Sequence, residues 1–405
     1  MIKRNKLLLL SLFFLLLHPF YVYTLNTFKI YQQPLTIIAV VFFILFAFGK
    51  IKIHKKSLAL CGPWFFLFIY MTLNNVGSYE IFFLYFICFA IMVVILVEYG
   101  WQESTETLLR VMVLPHAIFT IILFFIPSLY SFVQPFVAAN NILYAGYKTA
   151  LTGHYSTNAI YISIAFISYC CLLFYSEMSK KKKIYIVFFI LSLFSLLLTT
   201  KRGPLLFSVA AIFITYLLVD KKRFSSRFIK ILSVFLVSVL ALYLAGNFVP
   251  EISEFIARFS EDGDSGRSVM YLLAIQMFSR QPILGAGTGA YRLLYSTSLA
   301  RDINHMYLNT HNVYLQLLAE NGIIGFCLFL FASISTLYRG VTVLRKMHMV
   351  KNKNEKVMFT SVSFQIYFLL YCLTGNPLYD SMMFIPYFIF CAISNSLYIR
   401  SYYEQ

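Results

Sequence analysis

Apolar stretches of bilayer length follow one another along this chain with little between them, and nothing else restricts its folding as much. The hydrocarbon core of a membrane takes about 20 residues of helix. Stretches near that length read at 7–25, 33–49, 57–73, 79–98, 111–129, 156–176, 184–200, 203–219, 229–248, 321–338, 358–374 and 380–398. They are continuous rather than alternating, which argues for helices over a β-barrel. With 60% apolar and 12% charged residues, the chain lacks the polar surface that a soluble protein of 405 residues needs. The expected fold is all-α: a polytopic integral membrane protein of about 12 transmembrane helices with a large outward-facing segment. By this reading 1–249 holds about nine transmembrane helices, 250–320 is an extracytoplasmic segment with short helices and the catalytic residues, and 321–405 holds about three more. No self-similar period marks an internal repeat.

A formal charge of +17 would suit nucleic acid in a soluble protein. In a polytopic one, basic residues gather in cytoplasmic loops, and no nucleic-acid partner is expected. Lys3, Arg4 and Lys6 precede the first span; Lys50, Lys52, Lys55 and Lys56 follow the second. Lys180 to Lys183, the group from Lys221 to Lys230, and the group from Arg339 to Lys356 follow the sixth, eighth and tenth. Alternating spans put all of these on one side, the cytoplasmic one, together with both termini. The first span lacks a small-residue cleavage site, running into His18-Pro19-Phe20, and reads as an uncleaved helix. The seven cysteines fall in or beside apolar segments without metal-ligand spacing and read as packing residues.

Lys201-Arg202-Gly203 breaks this scheme, because it lands on the outer side, where the charge bias removes basic residues. Snorkelling to lipid headgroups is one reading; an anion site at the outer membrane surface is the other. The outer side also receives the 130–155 connector, with Lys148 and His154, and the 250–312 segment. The latter carries Arg258, Arg267, Arg280, Arg292 and Arg301 but no lysine. Arginine alone is what bidentate binding of phosphate or carboxylate favours.

Four landmarks resemble the bacterial O-antigen ligase and O-antigen polymerase superfamily. They are Thr200-Lys201-Arg202-Gly203 opening a span, Gly266-Arg267-Ser268 leading into a short helix, Pro282-Ile283-Leu284-Gly285-Ala286-Gly287, and the stretch from His311-Asn312 to Gly322 and Gly325. The likeness covers about 200–340, and its look is closest to a polysaccharide repeat-unit polymerase. It implies a membrane enzyme that takes a glycan from a polyprenyl pyrophosphate and joins it to an acceptor hydroxyl outside the inner membrane. Carried over by position, Arg202 and Arg267 match pyrophosphate-binding arginines and His311 the essential histidine. The implied partners are a polyprenyl-pyrophosphate-linked oligosaccharide, the lipid bilayer, a chain-length regulator and a flippase; no cofactor is implied.

The chemistry of the residues agrees. A departing polyprenyl pyrophosphate gains negative charge, which fixed guanidiniums stabilise without a metal. A histidine can accept or orient the acceptor hydroxyl's proton, and attack opposite the leaving group inverts the anomeric centre. Arg202, Arg267 and His311 are therefore the expected catalytic residues, with Lys201, His154, Arg292, Asn312 and Glu320 as the substrate-binding set. His154 reads equally as an interfacial residue, and Glu320 as a polar network partner rather than a base. Gly322 and Gly325 read as a smooth face for close helix packing. Asp262-Gly263-Asp264 has a metal-binding spacing but reads as a solvated loop, so no metal is expected. Gly285, Gly287 and Gly289 read as a turn, since no βαβ unit surrounds them. A ligase that passes the glycan to a different acceptor shares all these residues. A transporter is disfavoured, since His18 and His116 are the only ionisable side chains deep within the spans besides tyrosines and cysteines.

Overall fold

The structure is a computed structural model that describes residues 2–27, 32–48, 55–77, 80–96, 98, 100–133, 146–175, 180–219, 229, 246–247, 250, 253, 267–298, 309–352 and 354–403. In chain order the helices are α1 (Ile2–Thr27), α2 (Gln32–Ala47), α3 (Lys55–Leu73), α4 (Glu80–Ile95), α5 (Gln102–Phe125), α6 (Pro127–Val133), α7 (Tyr155–Tyr175), α8 (Lys180–Leu198) and α9 (Arg202–Val219). They continue with α10 (Arg267–Arg280), α11 (Ala290–Ser298), α12 (Val313–Met349), α13 (Glu355–Tyr371) and α14 (Ser381–Tyr403). No strand occurs among the described residues; a lone parallel bridge joins Asn75 and Thr288. The fold is the expected all-α, polytopic one. Six of the helices, α3, α5, α7, α9, α12 and α14, are long and apolar enough to cross a membrane. Eleven of the expected spans coincide with a helix; most of 229–248 lies outside the described residues. Arg258, Asp262, Asp264, Arg301 and His305 lie outside them too.

Two helices start well before the expected span. α5 begins at Gln102 because Glu106 and Arg110, four apart, form a buried ion pair at 2.9 Å. The Arg110 guanidinium also lies 5.4 Å from the centre of the Tyr169 ring. Each charge is compensated, so the helix carries both into its buried face. α12 begins at Val313, and its first turns hold polar Gln316 and Glu320, which neighbouring segments bury. A break at Gly322, with φ of +61°, separates those turns from the long apolar part.

The chain divides into two compact units. The first comprises Met1–Lys50, Tyr99–Asp262 and Val341–Tyr367. Within it α1 pairs with α2, the Ser11 hydroxyl donating to Ala39 O at 2.7 Å. α5, α7 and α8 pack together through small polar side chains: the Ser195 hydroxyl lies 2.7 Å from Ala117 O and 2.8 Å from Leu191 O, with one proton shared between them. Such residues allow close approach and satisfy their hydroxyls on backbone carbonyls, the pattern of helices packed in an apolar solvent. The second unit comprises Ile51–Glu98, Gly263–Gly340 and Phe368–Gln405. Its core is built around Trp64 of α3, fully buried against Phe329 of α12 and Phe388 of α14.

The seven cysteines are all free thiols. Five are buried, Cys170 is half-buried, and Cys327 is exposed on α12.

Candidate active site

In the first unit the candidate residues collect around the turn from α8 to α9. Helix α8 ends in a threonine pair whose second member, Thr200, has a left-handed backbone with φ of +56°. The Thr199 hydroxyl donates to Leu196 O at 2.7 Å and accepts from Lys201 N at 3.4 Å. Lys201 and half-buried Arg202 then open α9. A helix N-terminus already carries partial positive charge, so two cations there run against the dipole. A third arrives from elsewhere: Lys148, in the 3-10 turn Gly146–Thr149, donates from Nζ to the Thr200 hydroxyl at 3.4 Å. Its turn is fixed by Asn158 of α7, whose amide donates to Lys148 O at 2.8 Å and to the Thr120 hydroxyl at 2.9 Å. Lys201 places its ammonium 3.8 Å from the centre of the Tyr155 ring, a cation–π contact that holds the chain in place. His154 precedes Tyr155 and acts as a cap for α7: its Nδ1 accepts from Ser156 N at 3.1 Å.

The sequence marks Lys148 as a basic connector residue and no more. The one signal for it was its position as the lone lysine or arginine of the 130–155 connector.

In the second unit the platform is made by α10, α11 and the first turns of α12. Met270, Ala274 and Met277 of α10, Tyr291 of α11 and Ala319 of α12 form its buried apolar centre. Tyr291 donates its hydroxyl to Met270 O at 3.0 Å and its backbone N–H to Glu320 Oε1 at 3.3 Å. Arg267 opens α10, half-buried, and Arg292 is exposed on α11.

His311 stands immediately before α12 in a left-handed backbone, φ +55°. The residues on either side hold it there. Asn312 Oδ1 accepts from Leu315 N at 3.1 Å, capping the helix. The Thr310 hydroxyl accepts from Asn312 N at 3.0 Å and donates to Asn312 O at 2.6 Å, closing a small ring over His311. The start of α12 is anchored as well, since Val313 N donates to Cys372 O at 2.9 Å and Tyr314 donates to Leu369 O at 2.8 Å.

Glu320 is fully buried, and both its backbone and its side chain are used. Its carbonyl accepts from Gly287 N at 2.8 Å and from the Asn74 amide at 3.2 Å. Its carboxyl accepts from Tyr291 N and from Gln316 Nε2, the latter at 3.3 Å, and interacts with the Tyr379 phenol. Burial, and next to it the charge of Glu320, raises that phenol well above its ordinary value, so it stays a neutral hydroxyl. The glutamate is thus a hub of the network.

The two glycine-rich stretches meet at this hub. At Gly285, with φ of +74°, a β-carbon would overlap the Glu320 backbone; at Gly322 it would overlap Ile283. The break in α12 therefore receives the 282–289 loop, with Ile323 N donating to Pro282 O at 2.9 Å. The turn after α3 closes the other side: Thr288 N donates to Asn74 O at 2.7 Å and Val76 N to Thr288 O at 3.0 Å. The expected turn at Gly285, Gly287 and Gly289 is present, each residue with positive φ. Gly325 faces Tyr70 of α3 and its own helix's Asn321, the close packing that its spacing suggested.

The structure therefore brings Lys201, Arg202 and His154 together in the first unit and adds Lys148. Arg267, Arg292, His311, Asn312 and Glu320 belong to the second.

The class that fold and site define is an all-α membrane protein with a cationic turn in one unit and a histidine-bearing platform in the other. Residues 187–330 match the family model described as O-antigen ligase. The matched stretch runs from α8 into α12 and includes Lys201, Arg202, Arg267, Arg292, His311, Asn312 and Glu320; Lys148 and His154 precede it. Over that stretch, less than half of the chain, the resemblance to the O-antigen ligase and polymerase superfamily holds, and it indicates a function of that type. Among the curated proteins searched, none matches.

Proposed function

We propose that this protein polymerises polyprenyl-pyrophosphate-linked oligosaccharide repeat units into a surface or capsular polysaccharide, by inverting glycosyl transfer at the outer face of the cytoplasmic membrane. The observation that carries the reading is the gathering of Lys148, Lys201 and Arg202 at one helix N-terminus. Like charges converge in this way where an anion neutralises them, and a pyrophosphate at the membrane surface supplies both the charge and the location. In this reading the cations of the turn take the charge that develops on the leaving pyrophosphate, and no metal is needed. Arg292, Asn312 and the Glu320 network shape the sugar-binding side, and His311 accepts or orients the proton of the acceptor hydroxyl.

A second reading, a ligase that passes the finished glycan to a lipid or wall acceptor, is favoured by the description of the matched family. Deleting the gene separates the two. Loss of a polymerase leaves single repeat units on the final acceptor; loss of a ligase leaves long chains on the polyprenyl carrier. With purified protein and lipid-linked repeat units, the polymerase reading expects a ladder of products that persists in EDTA. Abolition of that ladder by EDTA and its restoration by Mg²⁺ or Mn²⁺ would remove the cations of the turn from their assigned role.

A further inference from the structure

Gln316 sits one turn inside α12, and only 1% of it is exposed. A buried amide in a helix that must reach the bilayer is costly unless its polar atoms are satisfied. Here both N–H groups of the amide find acceptors, and each partner bears on His311. One N–H of Nε2 is directed to Asn309 Oδ1 at 3.1 Å and the other to Glu320 Oε1 at 3.3 Å. Oε1 lies 3.4 Å from the Thr310 hydroxyl, the same hydroxyl that closes the ring over His311. The amide thus spans from the residues that enter the left-handed turn to Glu320, whose carboxyl is held by Tyr291 N of α11 and whose backbone carbonyl is held by Gly287 N of the 282–289 loop. A non-glycine residue at positive φ is strained and persists only when its surroundings over-determine it.

We propose that Gln316 is the positioning residue for His311: it ties the strained His311 turn to Glu320, so that the imidazole is presented at a fixed place to the acceptor hydroxyl. The inference rests on the reading of His311 as the histidine that serves the acceptor hydroxyl. Gln316 does this as an amide, because both atoms facing it, Asn309 Oδ1 and Glu320 Oε1, are acceptors and need donors between them. A carboxylate at 316 would repel Glu320 and oblige the Asn309 amide to turn its Nδ2 inward, and an apolar side chain would remove both contacts.

The test uses the full-length protein in nanodiscs, with lipid-linked repeat units extracted from the host strain as donor. Gln316→Met and Gln316→Glu are expected to lose at least about tenfold in kcat while the donor KM stays within about threefold, as for an interaction that matters only in the transition state. Unfolding temperatures are measured in parallel. The double variant Gln316→Glu with Glu320→Gln again places one amide against one carboxylate, and is expected to recover at least half of the lost kcat on a logarithmic scale. Unchanged kcat in the single variants, or a loss matched entirely by loss of folded protein, would overturn the inference. If Gln316→Met does not fold, the double variant decides: recovery supports the role and its absence overturns it. His311→Ala separates this inference from the reading beneath it. If His311→Ala turns over normally, the catalytic reading falls and the role of Gln316 with it. If His311→Ala is inactive while the Gln316 variants keep full kcat, only the positioning role falls.

Discussion

Thr200 and His311 share a backbone conformation that side chains seldom adopt, with φ of +56° and +55°. Ala150, two residues from Lys148, is a third case, at +44°. These three stand at or within two residues of positions to which chemistry is assigned, whereas a fourth, Lys351 at +50°, lies in the turn after α12 with no such assignment; strain of this kind is found where a side chain must be aimed rather than merely packed. Arg202, two residues beyond Thr200, is the sharpest target. Arg202→Lys keeps the charge and the helix but not the fork that grips two phosphate oxygens. It is expected to cost about 2–4 kcal/mol in the transition state, roughly 30- to 1000-fold in rate. Lys201→Ala, whose ammonium is held over Tyr155, should cost much less. Lys148→Met is expected to weaken donor use by roughly 10- to 100-fold, as for loss of one charge-assisted contact. All three are read from the rate of polymer formation by purified protein. Equal, mild losses at 201 and 202 would mean that the turn only attracts headgroups. Arg202 was legible in the sequence because a basic residue on the outer side violates the charge bias. Lys148, also a basic residue on the outer side, could not be tied to that turn because its partner Thr200 lies 52 residues away.

At the scale of elements, the apolar runs predicted the helices well, since a bilayer-length stretch has few other ways to satisfy its backbone. They misjudged starts where polar residues are buried in pairs. The i,i+4 spacing of Glu106 and Arg110 was the available signal for the early start of α5. For α12 the signal was weaker, since the groups that bury Gln316 and Glu320 come mostly from other segments. The interlock of the 282–289 loop with the α12 break depends on glycine for two reasons, positive φ and the absence of a β-carbon. Gly285→Ala is expected to destabilise the protein by at least about 2 kcal/mol, from strained backbone and overpacking together. Gly62→Ala, in α3, is the control: its new methyl would meet only Phe66, at an ordinary 3.9 Å. Thermal unfolding in detergent should show a lowered midpoint for Gly285→Ala alone. Equal midpoints would mean that the loop is not clamped by the break.

For the whole molecule, the proposed chemistry needs residues 250–312 outside the membrane and 339–357 inside. Cysteine substitution with membrane-impermeant labelling is expected to modify the first group in intact cells and the second only after permeabilisation. Labelling of both from one side would remove the topology and the mechanism together. The clamp around Glu320 also sets an order of events during synthesis. Asn74 and Leu284, which it joins through a 2.9 Å hydrogen bond, are 210 residues apart in the chain. The turn after α3 is made early and keeps unpaired backbone groups until the 282–289 loop appears. That loop in turn waits for Gly322. Contacts so distant form late, because the chain between them must first be ordered. The platform bearing His311 can therefore assemble only after Gly322 has been made. A nascent chain halted before Gly322 would hold its earlier helices in the membrane with the loop still undocked.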